Sequence, residues 1–166
     1  MSEPARSAYA AGLAMLARRE LSEAQVRERL ARKDVDPETI DAAVARLRDV
    51  KAIDDRRVAL SLARTESAVR TRGRGYVLRR LQSIGIDAEV ARAAVDEVFG
   101  AIDEAALLER ALARRLRGPK ARIQDQAQFR RLLNQLVRQG FPPSAVIAAL
   151  EARSRRDAVA DEDSGE

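Results

Sequence analysis

The chain of 166 residues contains no cysteine and no histidine. Composition alone therefore removes thiol nucleophiles, disulfides, histidine acid–base chemistry and nearly all zinc sites. Aromatic residues make up only 3% of the chain, which argues against a platform that stacks successive bases. No apolar run approaches the roughly 20 residues of a membrane span. The start, MSEPARSAYA, lacks the apolar core of a secretion signal, so a cytoplasmic protein without membrane contact is expected. Lysine is scarce too: Lys33, Lys51 and Lys120 are the only lysines among 31 basic residues. Arginine suits bidentate phosphate contacts, although a biased genome composition yields the same ratio.

What is present favours helix. Alanine, leucine, arginine and glutamate dominate, 46% of residues are hydrophobic and 34% are charged. The net charge is +5 and the isoelectric point about 10.3, an excess that points to an acidic partner such as nucleic acid or a protein coated on it.

A small device recurs along the chain: an apolar residue, then a capping residue, then an apolar residue five positions after the first. This is the hydrophobic staple around a helix N-cap. Leu21, Ser22 and Val26 form one, with Gln25 completing a capping box. Val35–Asp36–Ile40, Ile53–Asp54–Val58 and Ile102–Asp103–Leu107 form three more, and Phe141 and Val146 repeat the spacing around Pro142 and Pro143. Pro37 stands at a first helical position, where its missing N–H costs nothing. These starts predict about nine helices, near 5–19, 23–33, 37–50, 55–71, 76–84, 88–99, 104–117, 125–139 and 143–155. Apolar residues inside them recur at three and four, as in Ile40, Val44, Leu47 and in Phe129, Leu132, Leu133, Leu136.

The helices group in threes. Leu30 followed by Val35 returns as Leu81 with Ile86 and as Leu136 with Phe141, and the tripeptide at Ala52–Asp54 returns at Ala101–Asp103. The expected fold is thus all-α: three tandem three-helix repeats, at 1–51, 52–100 and 101–156, stacked as an elongated array. Gly85 and Gly140 stand where the second helix of a repeat must stop, a place for a left-handed residue. Asp34 holds that place in the first repeat, which predicts slight strain there. The segment 157–166 carries five acids and no base, so the rest of the chain holds +10; it reads as an acidic disordered tail able to compete for a basic face.

Little in the chain supports catalysis, a metal or a cofactor. Asp54 has a capping role, and Asp55 falls in a first turn, where negative charge suits the helix dipole. The stretch RTRGRGYVLRRLQSIGI, Arg70–Ile86, sets two glycines among arginines, but it lacks the spacing and the Gly-Lys-Ser/Thr ending of a phosphate loop. It reads as a joint, with Gly73 and Gly75 allowing a sharp turn. Arginines crowd around it: Arg64, Arg70, Arg72, Arg74, Arg79 and Arg80. A second basic group comprises Arg110, Arg114, Arg115, Arg117, Lys120, Arg122, Arg130, Arg131 and Arg138. Folding alone gives these side chains no evident task, so replacing Arg72 and Arg74 by alanine is expected to leave the fold intact. With so few aromatics near them, any nucleic-acid contact should be to backbone and independent of sequence.

These residues also resemble a known family, the RecX regulatory proteins. The resemblance rests on LSEAQVRERLARKDVDPETIDAAVARL (Leu21–Leu47), IDDRRVA (Ile53–Ala59) and RTRGRGYVLRRLQSIGIDAEVARAAV (Arg70–Val95). It covers about residues 8–155, the third repeat mainly by pattern. Two positions depart: Val58 stands where the family often has phenylalanine, and Asp34 where it usually has glycine. The resemblance implies a curved helical-repeat array, acting without catalysis as a monomer. It would lie in the groove of the RecA–DNA filament and restrain ATP hydrolysis and strand exchange, or promote disassembly. The arginine groups named above, above all Arg72 and Arg74 and those of the third repeat, are then the candidate contacts. Two other readings stay open. The segment Val26–Leu47 has helix–turn–helix spacing and suits a transcription regulator, although Glu38 and Asp41 sit on its second helix. A helical scaffold with no acidic partner is the other.

Overall fold

The computed structural model describes residues 2–116 and 122–163, the last six of them by backbone alone. The elements are α1 (Glu3–Leu16), α2 (Glu23–Ala31), α3 (Pro37–Asp49), α4 (Asp55–Arg64), a π-turn (Thr65–Val69), α5 (Arg74–Ser83), α6 (Ala88–Phe99), α7 (Glu104–Ala113), α8 (Gln126–Arg138) and α9 (Pro143–Asp163). No strand occurs among the described residues, and the fold is all-α.

Local chemistry sets the helix starts. Ser22 Oγ accepts from Gln25 N, and Gln25 Oε1 accepts from Ser22 N, both at 3.2 Å, so two orphan donors of α2 are satisfied at once. Asp36 caps α3 through Thr39 N at 2.9 Å, Asp54 caps α4 through Arg57 N at 2.9 Å, and Asp103 caps α7 through Ala106 N at 3.0 Å. The staples thus mark real helix starts. Each such cap stabilises by about 1 kcal/mol.

The helix stops repeat as well. The amide of Val35 donates to Leu30 O, that of Ile86 to Leu81 O, and that of Phe141 to Leu136 O, at 3.4, 3.2 and 3.3 Å. The residue before each is left-handed: Asp34 at φ 58°, Gly85 at 79° and Gly140 at 94°. This is the Schellman ending, and the five-residue apolar spacing is its hydrophobic contact. A fourth, which the sequence reading passed over, ends α3. Lys51 is left-handed at φ 55°, and Ala52 N donates to Leu47 O at 2.8 Å.

Among the described residues the helices gather into two compact units, Met1–Leu62 with Arg80–Asp96, and Ala63–Arg79 with Glu97–Glu166. The span 52–100, expected as one repeat, contributes to both. In the first unit Leu21, Val26, Leu30, Val44, Leu47 and Ile53 close a core between α1, α2 and α3. Packing is tight there: a Cβ on Gly12 would stand 2.7 Å from Leu47 Cδ1. In the second unit α7, α8 and α9 touch pairwise, and Leu107, Leu112, Leu132, Leu136, Val146 and Leu150 are buried.

Three expectations change. First, α4 does not run on to residue 71. It ends in the π-turn, where Arg70 N donates to Thr65 O at 3.3 Å, and the chain leaves through Thr71, left-handed at φ 51°. A buried β-branched residue in that region is strained by about 1–3 kcal/mol. Second, Gly73 and Gly75 do more than permit a sharp turn, and neither has a positive φ. They are glycine because another backbone lies against them. A Cβ on Gly73 would stand 2.6 Å from Gly140 O, and one on Gly75 3.2 Å from the same oxygen. Third, α9 continues through Asp157 to Asp163, across most of the segment expected to be a disordered tail. Asp157 holds it: one carboxylate oxygen pairs with Arg153 at 3.1 Å, a turn earlier, and the other accepts from Ile123 N at 3.4 Å.

Candidate nucleic-acid interface

Each unit pairs some of its arginines. In the first, guanidiniums meet carboxylates: Arg27 with Glu23 and Asp41, Arg48 with Glu23, Arg57 with Glu20, and Arg32 with Glu28. The Arg27 pairing raises that guanidinium's pKa, chiefly through the hydrogen bond to Asp41 and then that to Glu23. The Arg27–Asp41 and Arg48–Glu23 pairs link α2 to α3. Asp55, the first residue of α4, accepts from Glu23 N at 2.8 Å, and burial pushes its carboxyl upward.

In the second unit the backbone of the Arg-Gly joint is pinned to the α8–α9 turn. Gly73 N donates to Gln139 O at 2.8 Å and Gly75 N to Gly140 O at 3.1 Å. Around this seam several predicted site residues take on structural tasks. Arg74 Nε lies 3.3 Å from Glu104 Oε1, and its guanidinium lies over the Phe99 ring, 5.5 Å from the centroid. Arg72 stacks on Tyr76 at 4.6 Å. Arg114 Nη1 donates to Val69 O at 3.1 Å and to Thr71 Oγ1 at 3.4 Å, bracing the strained corner. Arg70 pairs at 3.0 Å with the buried Glu66. Arg79 donates to Arg138 O at the end of α8, and Arg64 lies 3.9 Å from Glu97. The expectation that folding has no use for Arg72 and Arg74 is therefore corrected.

Arg115 completes the seam. Its Nε donates to Gln135 Oε1 at 3.2 Å and its Nη1 to Ala111 O at 3.0 Å. The Gln139 amide, oriented to satisfy its neighbours, turns its oxygen to both arginines: Arg72 Nη1 at 3.2 Å, Arg115 Nη1 at 3.3 Å, and Arg115 Nη2 as well. Burial, and then the nearby Arg72 charge, lower the Arg115 pKa. Neither guanidinium meets a carboxylate among the described residues.

The remaining arginines face solvent. Arg110 on α7 and Arg130, Arg131 and Arg138 on α8 are exposed, without an ion-pair partner among the described residues. Arg122 is also exposed, and its carbonyl accepts from Gln128. Arg80 is exposed on α5 but belongs to the first unit. Arg117 and Lys120 lie outside the described residues. Among the described residues no three His, Cys, Asp or Glu side chains converge as a metal site requires, and no helix is long and apolar enough to cross a membrane.

Fold and surface together define an all-helical protein that offers a partner guanidinium groups. Comparison with known proteins narrows this. The family model for the first three-helix domain of RecX matches residues 8–47. Regulatory protein RecX of Syntrophotalea carbinolica is 33% identical over 144 residues, covering 87% of this chain and 94% of the relative. RecX of Geobacillus kaustophilus is 26% identical over 149 residues, and there the chain spans 55% of the relative's length. The crystal structure of RecX from Lactobacillus salivarius superposes with a TM-score of 0.72 at 20% identity, covering 92% of this chain and 99% of that one. The chain belongs to the RecX family of regulatory proteins.

Proposed function

We propose that the protein is a non-enzymatic regulator that binds the RecA recombinase and its DNA filament. There it inhibits ATP hydrolysis, strand exchange and coprotease activity during DNA repair and recombination. Family membership supports the recombinase as partner. The observation that carries the mode of action is the row of arginines on α8 with no ion pair among the described residues, a helix with three arginines and no carboxylate. Such a surface attracts a polyanion from a distance and grips it without reading sequence.

Binding alone suffices for the proposed activity. A helical protein occupying the filament surface restrains the protomer movements that accompany turnover, with no bond made or broken by its own side chains. The test is the recombinase's single-strand-dependent ATPase with this protein titrated in, together with co-sedimentation on filaments. Saturable inhibition with the protein in the pellet supports the reading. Full ATPase activity with the protein left in the supernatant removes it.

A further inference from the structure

Arg72 and Arg115 bring two guanidiniums to one neutral oxygen, that of Gln139. Like charges held this close repel; burial first, and then the Arg72 charge, lower the Arg115 pKa. The repulsion is not offset within the second unit, since neither side chain meets a carboxylate among the described residues. The stems are nonetheless fixed in advance: Arg72 by the Tyr76 ring, Arg115 by Gln135 Oε1 and Ala111 O. Two half-buried cations with one polar acceptor between them suit an anion. A guanidinium fork matches an oxyanion with two parallel hydrogen bonds.

We infer that Arg72 and Arg115, flanking Gln139, form a seat for one backbone phosphate of a nucleic-acid strand. The positive line continues along α8. Arg131 stands four residues before Gln135 and Arg138 three after it, a span of about 10 Å at 1.5 Å per residue. In a duplex each strand supplies a charge about every 3.4 Å of axis, so one strand can serve the seat and its neighbours at once. A single acidic side chain of a protein partner serves one. The inference rests on the proposed regulatory reading and assigns this face to the DNA of the filament rather than to the recombinase.

The decisive variant is Gln139→Glu. It places a carboxylate between the two guanidiniums, so the seat is filled from within while both arginines and their packing remain. Gln82→Glu, at an exposed position on α5, removes the same net charge elsewhere. Binding of a labelled single-stranded oligonucleotide is followed by fluorescence anisotropy across a salt series, with no recombinase present. Gln139→Glu should melt no lower than the parent, bind about tenfold more weakly, and lose about one unit of the log–log salt slope. Gln82→Glu should stay within about twofold. Arg115→Gln, which empties one side of the seat, should weaken binding in the same direction. Parental affinity and slope in both Gln139→Glu and Arg115→Gln overturn the seat. So does displacement of the oligonucleotide by poly-glutamate as readily as by unlabelled oligonucleotide, which would assign the seat to a protein carboxylate. Because the recombinase is absent, unaltered oligonucleotide binding alongside intact ATPase inhibition would remove the seat and leave the regulatory reading standing.

Discussion

The α2–α3 turn and the α8–α9 turn are the same Schellman ending built under different constraints. At the first the left-handed residue is Asp34, exposed, with a φ of 58°. At the second it is Gly140, with a φ of 94°, and the joint of Gly73 and Gly75 presses on it from the side. A side chain is tolerated where the turn faces water and excluded where a second backbone arrives. The charges divide by element rather than by unit. In the first unit Arg27, Arg32, Arg48 and Arg57 meet carboxylates, while Arg80 is exposed. In the second, Arg64, Arg70 and Arg74 also meet carboxylates, Arg72, Arg114 and Arg115 meet a ring, carbonyls or an amide, and Arg130, Arg131 and Arg138 on α8 are exposed with no ion pair among the described residues, so it is α8 that has charge to offer.

The largest break in this comparison is expected at Gly140. A Cβ there would stand 2.1 Å from Tyr76 N and 2.8 Å from Gly73 O, in a backbone region that L-residues avoid. Gly140→Ala should destabilise by about 3 kcal/mol or more, read as the shift of a urea midpoint. The mirror change, Asp34→Gly, should stabilise by about 1 kcal/mol, because only the left-handed strain is relieved. Two changes of the same sign would end the claim that crowding separates the turns.

Next in size is Arg72→Ala with Arg74→Ala. Losing one ring contact each, the Glu104 pair and the bond to Gln139 should cost about 1–3 kcal/mol in urea unfolding. An unaltered midpoint would return these arginines to a purely surface role. By contrast Arg130→Gln with Arg131→Gln should leave stability within about 0.5 kcal/mol, since neither side chain has an ion-pair partner among the described residues to lose.

The smallest effect concerns acid. Backbone amides at Thr39 and Glu89 hold the exposed carboxylates of Asp36 and Asp87 below the usual range. Stability from such groups is complete above the ordinary carboxylate pKa and is lost as pH falls through the lower folded value. Asp55 runs the other way: burial raises it, so it favours the fold at low pH and that contribution fades as pH rises through its folded value. All three lie in the first unit. Asp36→Asn should flatten the fall of melting temperature on acidification, and a parental pH profile in that variant would refute the cap's part in it.

Helix starts were legible because a staple and its cap lie within six residues of one another. So were the stops at Asp34, Gly85 and Gly140, because the Schellman contact is equally local. The same rule contained Lys51, since Leu47 and Ala52 have the spacing of Leu30 and Val35; a weak apolar partner hid it. The π-turn was not legible. It depends on burying Glu66 and Ser67, with Ser67 Oγ donating to Ala63 O at 2.8 Å, and no local pattern announces that. For the glycines of the joint a turn is the local signal, but a turn alone does not require glycine at both. Their need is a close approach by a segment more than sixty residues away, which a local reading cannot see. The arginines divide likewise. Composition flagged them all, but only tertiary contacts separate Arg72, Arg74, Arg114 and Arg115, which brace the second unit, from Arg110, Arg130, Arg131 and Arg138, which face water.

The exposed arginines of α8 can be set directly against paired ones. Two variants of equal charge loss can be compared as inhibitors of the recombinase's single-strand-dependent ATPase. Arg130→Gln with Arg131→Gln alters the open face of α8, and Arg32→Gln with Arg57→Gln alters paired arginines of the first unit. The α8 variant should need about tenfold more protein for half-inhibition while melting like the parent, and the first-unit variant should inhibit as the parent does. Equal loss in both, or loss only in the first-unit variant, would contradict the role proposed for α8.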